Sequence, residues 1–169
     1  TLLRVAGLPG ALPPLVVVGE LHRFITLTQI EELGRFDQSA ILLEPVGRNT
    51  AAAICAAAEF CKNLGDDIIF LVLPADHIVL RQQGFVEAVG KAAVLAEAGA
   101  VVTFGIQPTG AETGYGYIEQ GEGTRIASFK EKPDKEVAKG YIDAGNYLWN
   151  SGMFAFSART FVAEMEKYA

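Results

Sequence analysis

Ile68-Ile69-Phe70-Leu71-Val72-Leu73 runs without a polar residue straight into Pro74-Ala75-Asp76-His77. A continuous apolar run of this length is typical of a central strand covered on both faces. A carboxylate directly after such a strand stands where open α/β sheets bind ligands, at the carboxyl end.

Strand and helix patterns alternate on either side of this run. Upstream, residues 15–18 read as a short strand closed by Gly19. Leu21, Phe24, Ile25, Ile30 and Leu33 then recur at helical spacing, with Gly34 as the C-cap. Residues 40–43 read as the next strand, and Asn49 or Thr50 caps an alanine-rich helix that ends near Gly65. Downstream, Phe85, Ala88, Val89, Ala92 and Leu95 lie along one stripe of a helix predicted over 85–98, which Gly99 stops. Residues 100–106 form another apolar strand pattern. The alternation predicts an α/β fold with a mostly parallel central sheet and helices on both faces. After Gln107 the pattern changes to a smaller mixed β region. Short strands are predicted over 115–119 and 125–132, and a helix over 134–142. Two strand pieces, 147–149 and 153–156, flank an Asn150-Ser151-Gly152 turn, and a last helix starts near Ser157. No repeat or linker interrupts the chain, so residues 1–169 read as one domain.

The chain is 50% hydrophobic and 20% charged, the balance of a packed core rather than of a disordered chain. Fourteen basic residues against 20 acidic ones give a net charge of −6, which repels phosphate backbones, so no nucleic acid partner is expected. Cys55 and Cys61 are six apart in one predicted helix and point about 240° apart around its axis. They are expected as free thiols in a reducing compartment. No apolar run reaches the roughly 18 residues of a membrane span, and no signal-peptide pattern opens the sequence. The expectation is a cytoplasmic protein without a membrane partner. There are only two histidines, without metal spacing, and no G-x-S-x-G elbow, Walker A loop or dinucleotide fingerprint.

Three polar clusters fall at strand ends. In Glu44-Pro45-Val46-Gly47-Arg48-Asn49-Thr50, a strand leads into a helix N-terminus, which exposes unpaired N–H groups and partial positive charge. Arg48 adds a full charge, and Glu44 can accept from a base edge presenting two donors, as guanine does. A plain strand–helix turn with a capping threonine would explain the same residues. In the second cluster, Asp76 can hold Mg²⁺ through one oxygen while substrate phosphates complete its coordination, or can simply be a turn residue. The third comprises Glu112-Thr113-Gly114-Tyr115-Gly116-Tyr117, Phe129-Lys130-Glu131-Lys132-Pro133 and Asn150-Ser151-Gly152. Here Glu131 can grip sugar hydroxyls and Lys132 can hold a phosphate. In a strand the two would point to opposite faces, so a site using both needs a twist, a bulge or a strand end.

Taken together and in this order, the strings resemble the nucleotidyltransferase domain of bacterial mannose-1-phosphate guanylyltransferases. Tyr147 to Phe154 belongs to the match through Trp149-Asn150-Ser151-Gly152-Met153-Phe154, and the resemblance covers most of the chain. It implies a Rossmann-like, glycosyltransferase-A-like three-layer sandwich and transfer of GMP from GTP to mannose-1-phosphate, giving GDP-mannose and pyrophosphate. It implies Mg²⁺ at Asp76, guanosine near Glu44, Gly47, Arg48, Asn49 and Thr50, and the sugar phosphate at Gly116, Tyr117, Glu131, Lys132 and Asn150. Asp76 and Lys132 would be the catalytic residues. The family's glycine-rich loop, G-G-x-G-T-R-L-x-P-L, has no match within residues 1–169, nor has the second metal carboxylate. Residues 1–169 are therefore expected to be an incomplete domain with little activity alone. An uncovered sheet edge would favour a homo-oligomer or poor solubility.

Overall fold

The structure, a computed structural model, describes residues 1–35, 38–65 and 68–168. The elements run in the order α1 (Leu2–Val5), β1 (Leu15–Gly19), α2 (Arg23–Glu32), β2 (Ala40–Glu44), α3 (Asn49–Cys61), β3 (Ile69–Val72), α4 (Gln82–Glu97), β4 (Val102–Ile106), β5 (Tyr117–Gln120), β6 (Ile126–Lys130), α5 (Lys135–Ala144), β7 (Tyr147–Ser157) and α6 (Ala158–Tyr168). The α/β class and the alternation through residue 106 agree with the sequence reading, with shifts of a few residues at element ends.

The pairing is less simple than chain order suggests. β1 and β2 pair in parallel as a two-stranded sheet. β3 and β4 run in the same direction but are not neighbours, because β7 lies between them and runs antiparallel to both. β5 pairs with β7 and with β6, both antiparallel. β7 is one unbroken strand of 11 residues, where the sequence reading had two pieces and a turn. Asn150-Ser151-Gly152 is a bulge inside it. Two residue steps of β4, from Thr103 to Gly105, are matched by four steps of β7, from Phe154 to Asn150. Gly152 sits at φ 70, and the bulge satisfies its own backbone. Asn150 Oδ1 accepts from Gly152 N–H at 3.3 Å, and Ser151 Oγ accepts from Met153 N–H at 3.2 Å.

The core gathers under α4. Ala92 and Ala96 are one helical turn apart, and both are fully buried against Ala155 of β7. Ile69, Leu71, Val102 and Phe104 pack around them. Small residues at these positions bring the helix close to the sheet. On the same strand, Phe156 stacks on Phe161 of α6 with ring centroids 5.1 Å apart. At Gly105 of β4 the side chain of Leu148 on β7 fills the space a Cβ would need. A Cβ there would stand 2.5 Å from Leu148 Cδ1 and 2.9 Å from Leu148 Cβ. The tip of Leu148 can swing away but its Cβ cannot. Gly105→Ala is therefore expected to cost about 1–3 kcal/mol, read as a melting temperature several degrees lower in calorimetry.

Much apolar surface remains uncovered. The accessible area is 11240 Å², against about 8,100 Å² for a compact monomer of 18.1 kDa. Leu21, Ile78 and Leu80 are 95%, 86% and 91% exposed. Among the described residues, β1 pairs only with β2 and β3 only with β7, so each keeps an unpaired edge.

Candidate active site

The third sequence cluster is assembled from three separate segments. The chain leaves β6 at Lys130 before reaching Glu131 and Lys132, so neither obeys strand alternation. Lys132 has φ 42, a left-handed conformation uncommon for a side-chain-bearing residue, and this turns it back toward Glu131. Its ammonium lies 3.8 Å from Glu131 Oε1. The strand end that a joint site requires is present. Lys132 N–H donates to Tyr115 O at 3.2 Å, which ties this turn to the Gly114-Tyr115-Gly116 loop. Glu131 Oε2 occupies the space beside Gly116, where a Cβ would come within 2.8 Å of it and within 2.7 Å of Phe129 Cζ. Gly116 O in turn accepts from Asn150 N–H at 2.7 Å.

Asn150 is held from behind. Its Oδ1 accepts from Thr103 Oγ1 at 2.8 Å as well as from Gly152 N–H. Both donors are on the oxygen, and among the described residues no acceptor pairs with the amide nitrogen, which can donate to a ligand. Thr103 was missed in the sequence, where a β-branched residue in an apolar strand carries no polar signal. Tyr115 stands in the third cluster without a role of its own. Its ring packs edge-on against Trp149 at 5.1 Å.

The second cluster adjoins this one. β3 pairs with β7 up to Val72 and Phe154, and a Cβ on Gly152 would lie 3.5 Å from Pro74 Cγ. Pro74-Ala75-Asp76-His77 thus leaves the sheet beside the β7 bulge. The Asp76 carboxylate is 87% exposed, with Oδ1 3.9 Å from His77 Nε2.

One sequence-predicted side-chain placement differs. The Tyr117 ring is fully buried and its hydroxyl donates to Glu112 O at 2.9 Å, so this side chain braces the loop from within and cannot touch a ligand. The segment from Glu44 to Thr50 follows β2 on the two-stranded sheet and opens α3. Among the described residues, no hydrogen bond or ion pair joins it to Asp76, Glu131 or Lys132. Gly47, Arg48 and Thr50 are exposed, Glu44 is half-buried, and Asn49 starts α3 at φ 63. Two open clefts, of about 300 Å³ beside Leu12 and Pro14 and about 270 Å³ between α3 and α6, lie outside the cluster. Burial raises the Cys61 thiol above its ordinary range, which keeps it protonated at neutral pH. The Tyr147 phenol is raised too, by desolvation first and then by the Glu119 carboxylate.

A strand-end carboxylate, a lysine and an asparagine beside a glycine are groups that can pair with phosphate charge and with hydroxyls. The chain belongs to the nucleotidyl transferase family, whose model matches residues 3–169. It is 50% identical to the xanthan biosynthesis protein XanB of Xanthomonas campestris pv. campestris strain B100, over 92% of this chain and 34% of that protein. It is 44% identical to a mannose-1-phosphate guanylyltransferase of Escherichia coli, over 99% of this chain and 37% of that protein. The crystal structure of mannose-6-phosphate isomerase from Helicobacter pylori superposes with a TM-score of 0.89 and 34% identity, covering 98% of this chain and 63% of that one. The chain spans about a third of the length of the curated relatives it matches. Among the described residues, no helix is long and apolar enough to cross a membrane.

Proposed function

We propose that the protein carrying this chain transfers GMP from GTP to mannose-1-phosphate, giving GDP-mannose and pyrophosphate. One observation carries the reading. Gly116, Glu131, Lys132 and Asn150 come from three segments and meet beside the turn that bears Asp76. The relative named mannose-1-phosphate guanylyltransferase supports the choice of sugar and base. The xanthan relative supports a role in supplying a polysaccharide precursor. The compartment is the cytoplasm, where GTP is supplied. The unpaired edges of β1 and β3 and the exposed apolar side chains favour self-association of residues 1–169 when made alone.

The reaction needs a phosphate oxygen of the sugar phosphate to attack the α-phosphorus of GTP, in line with departing pyrophosphate. Two anions must approach each other, so the protein's task is positioning and charge neutralisation rather than covalent catalysis. Lys132 meets the sugar phosphate as a point charge. Glu131 accepts from sugar hydroxyls, and Asn150 donates to one through its free amide nitrogen. Tyr117 keeps the Gly116 loop in place from the core. The glutamate–lysine pair is more than half exposed on both sides, so its own attraction is weak and both groups remain available to a ligand.

Asp76 fits a Mg²⁺ ion that arrives with the nucleotide. Its carboxylate is exposed, and Mg²⁺ commonly takes one or two protein carboxylates and completes its shell with phosphate oxygens and water. Among the described residues, no group of three or more His, Cys, Asp or Glu could hold a metal ion, so Asp76 would share the ion with ligands from outside these residues. When bound, the ion neutralises phosphate charge.

Glu44, with Gly47, Arg48, Asn49 and Thr50, faces the guanosine in this reading. Its carboxylate accepts from the two donors of the guanine edge, which uracil and thymine lack. Glu44→Ala is expected to reduce the preference for GTP over UTP by about 10- to 100-fold, measured as a ratio of kcat/KM. Binding of GDP-mannose, GDP-glucose and UDP-glucose to the whole protein, compared by calorimetry, tests the proposal. GDP-mannose should bind tightest, and a preference for UDP-glucose would overturn the assignment.

A further inference from the structure

We propose that Arg4, in α1, is a positioning residue for Asp76. The inference rests on the nucleotidyl transfer reading and extends it to a side chain that the sequence strings leave out. Asp76 lies in residues 73–81, which form neither helix nor strand. Among the described residues, the His77 imidazole is the one basic side chain within 4.0 Å of its carboxylate, at the long distance of 3.9 Å. The backbone around it is held from α1. Arg4 Nη2 donates to His77 O at 2.6 Å, and Thr1 Oγ1 donates to Ala75 O at 3.2 Å and to Pro74 O at 3.0 Å. The two carbonyls that flank Asp76 are therefore both fixed by one helical turn. The far end of the same segment is tied back as well, since Gln82 Nε2 donates to Arg4 O at 2.9 Å.

Packing alone does not account for an arginine at this place. Its guanidinium lies 5.5 Å from the centre of the Phe85 ring, cover that a methionine would provide as well. Its Nη1 is buried without an acceptor among the described residues, which is a cost. What a methionine could not supply is the charge-assisted bond to His77 O, which pins the His77–Ile78 peptide, one residue past Asp76. Partners that orient a metal-binding carboxylate from behind typically change metal affinity or activity 10- to 100-fold when removed.

The test uses the whole protein with Mn²⁺ as probe, titrated by electron paramagnetic resonance in the presence of GTP. It is combined with amide hydrogen exchange over residues 75–78 and with the KM for mannose-1-phosphate. Arg4→Met is expected to weaken Mn²⁺ binding by about 10-fold or more and to speed exchange at 75–78, leaving the sugar phosphate KM within about 2-fold. Arg4→Lys, which restores a charged donor, should recover Mn²⁺ binding to within about 3-fold. If Arg4→Met does not fold, Arg4→Gln is compared with Arg4→Lys under the same expectation. Unchanged Mn²⁺ affinity and unchanged exchange in a folded, active variant would overturn the positioning role alone. Failure of the unmodified protein to bind Mn²⁺ with GTP and to make product would overturn the transferase reading, and the positioning role with it.

Discussion

Lys132→Met is expected to lower kcat/KM for mannose-1-phosphate by about 100- to 1000-fold, equivalent to roughly 2.7–4 kcal/mol of lost transition-state stabilisation. Among the described residues, Lys132 is the cation paired with Glu131, and in the proposed reaction the charge it would meet is largest as the two phosphates close on each other. Methionine keeps most of the stem length and has the same difficulty with φ 42, so backbone strain does not confound the comparison. Stability should hardly change, because the side chain is 64% exposed and its ion pair with Glu131 is of the exposed kind. The KM for GTP should stay within about 3-fold, because the lysine is assigned to the sugar phosphate. Lys132→Arg should recover only part of the loss, since a planar fork does not reproduce a compact ammonium. Steady-state kinetics with each substrate varied, together with a thermal melt, check all of these outcomes.

Gly116→Ala should produce a loss of similar size by a different route. The added Cβ would fall 2.7 Å from Phe129 Cζ and 2.8 Å from Glu131 Oε2. Both obstacles are ends of half-exposed side chains, so they can swing outward and the fold survives, at a cost of about 1–3 kcal/mol. The carboxylate of Glu131 is then no longer where the sugar hydroxyls need it. Displacement of a positioning group by about 1 Å can cost about 100-fold in rate. Gly110→Ala is the matched control, because a Cβ there meets nothing within 4 Å. It should leave both kcat/KM and the melting temperature near the unmodified values.

The sequence was most legible where one signal acted alone. The apolar run before Pro74 and the helical stripe through Ala92 each locate an element, because burial on both faces or on one stripe leaves a direct periodic mark. β7 was misread in two ways, for physical reasons. Asn150-Ser151-Gly152 is turn-forming by composition, but here its side chains satisfy the backbone of a bulge, and pairing with β3, β4 and β5 carries the strand through. Its insertion between β3 and β4 is invisible in chain order, because the pairing joins residues nearly 90 positions apart, as Ile69 and Ser157 are. The composition of the candidate site was readable and its geometry was not. Glu131 and Lys132 could be named, but their meeting depends on the left-handed Lys132 just past the end of β6. Tyr117 looked available and is buried, since alternation along β5 cannot say which face will be covered. Thr103 and Arg4 act through hydrogen bonds to Asn150 Oδ1 and His77 O, and a residue that serves another residue leaves no motif of its own.

The most direct test is pyrophosphate release by the whole protein, run with Mg²⁺ and each pairing of GTP or UTP with mannose-1-phosphate or glucose-1-phosphate. GTP with mannose-1-phosphate should turn over fastest, with GDP-mannose formed in step with pyrophosphate. Faster turnover of UTP with glucose-1-phosphate, or no turnover with any pair, would contradict the proposed reaction.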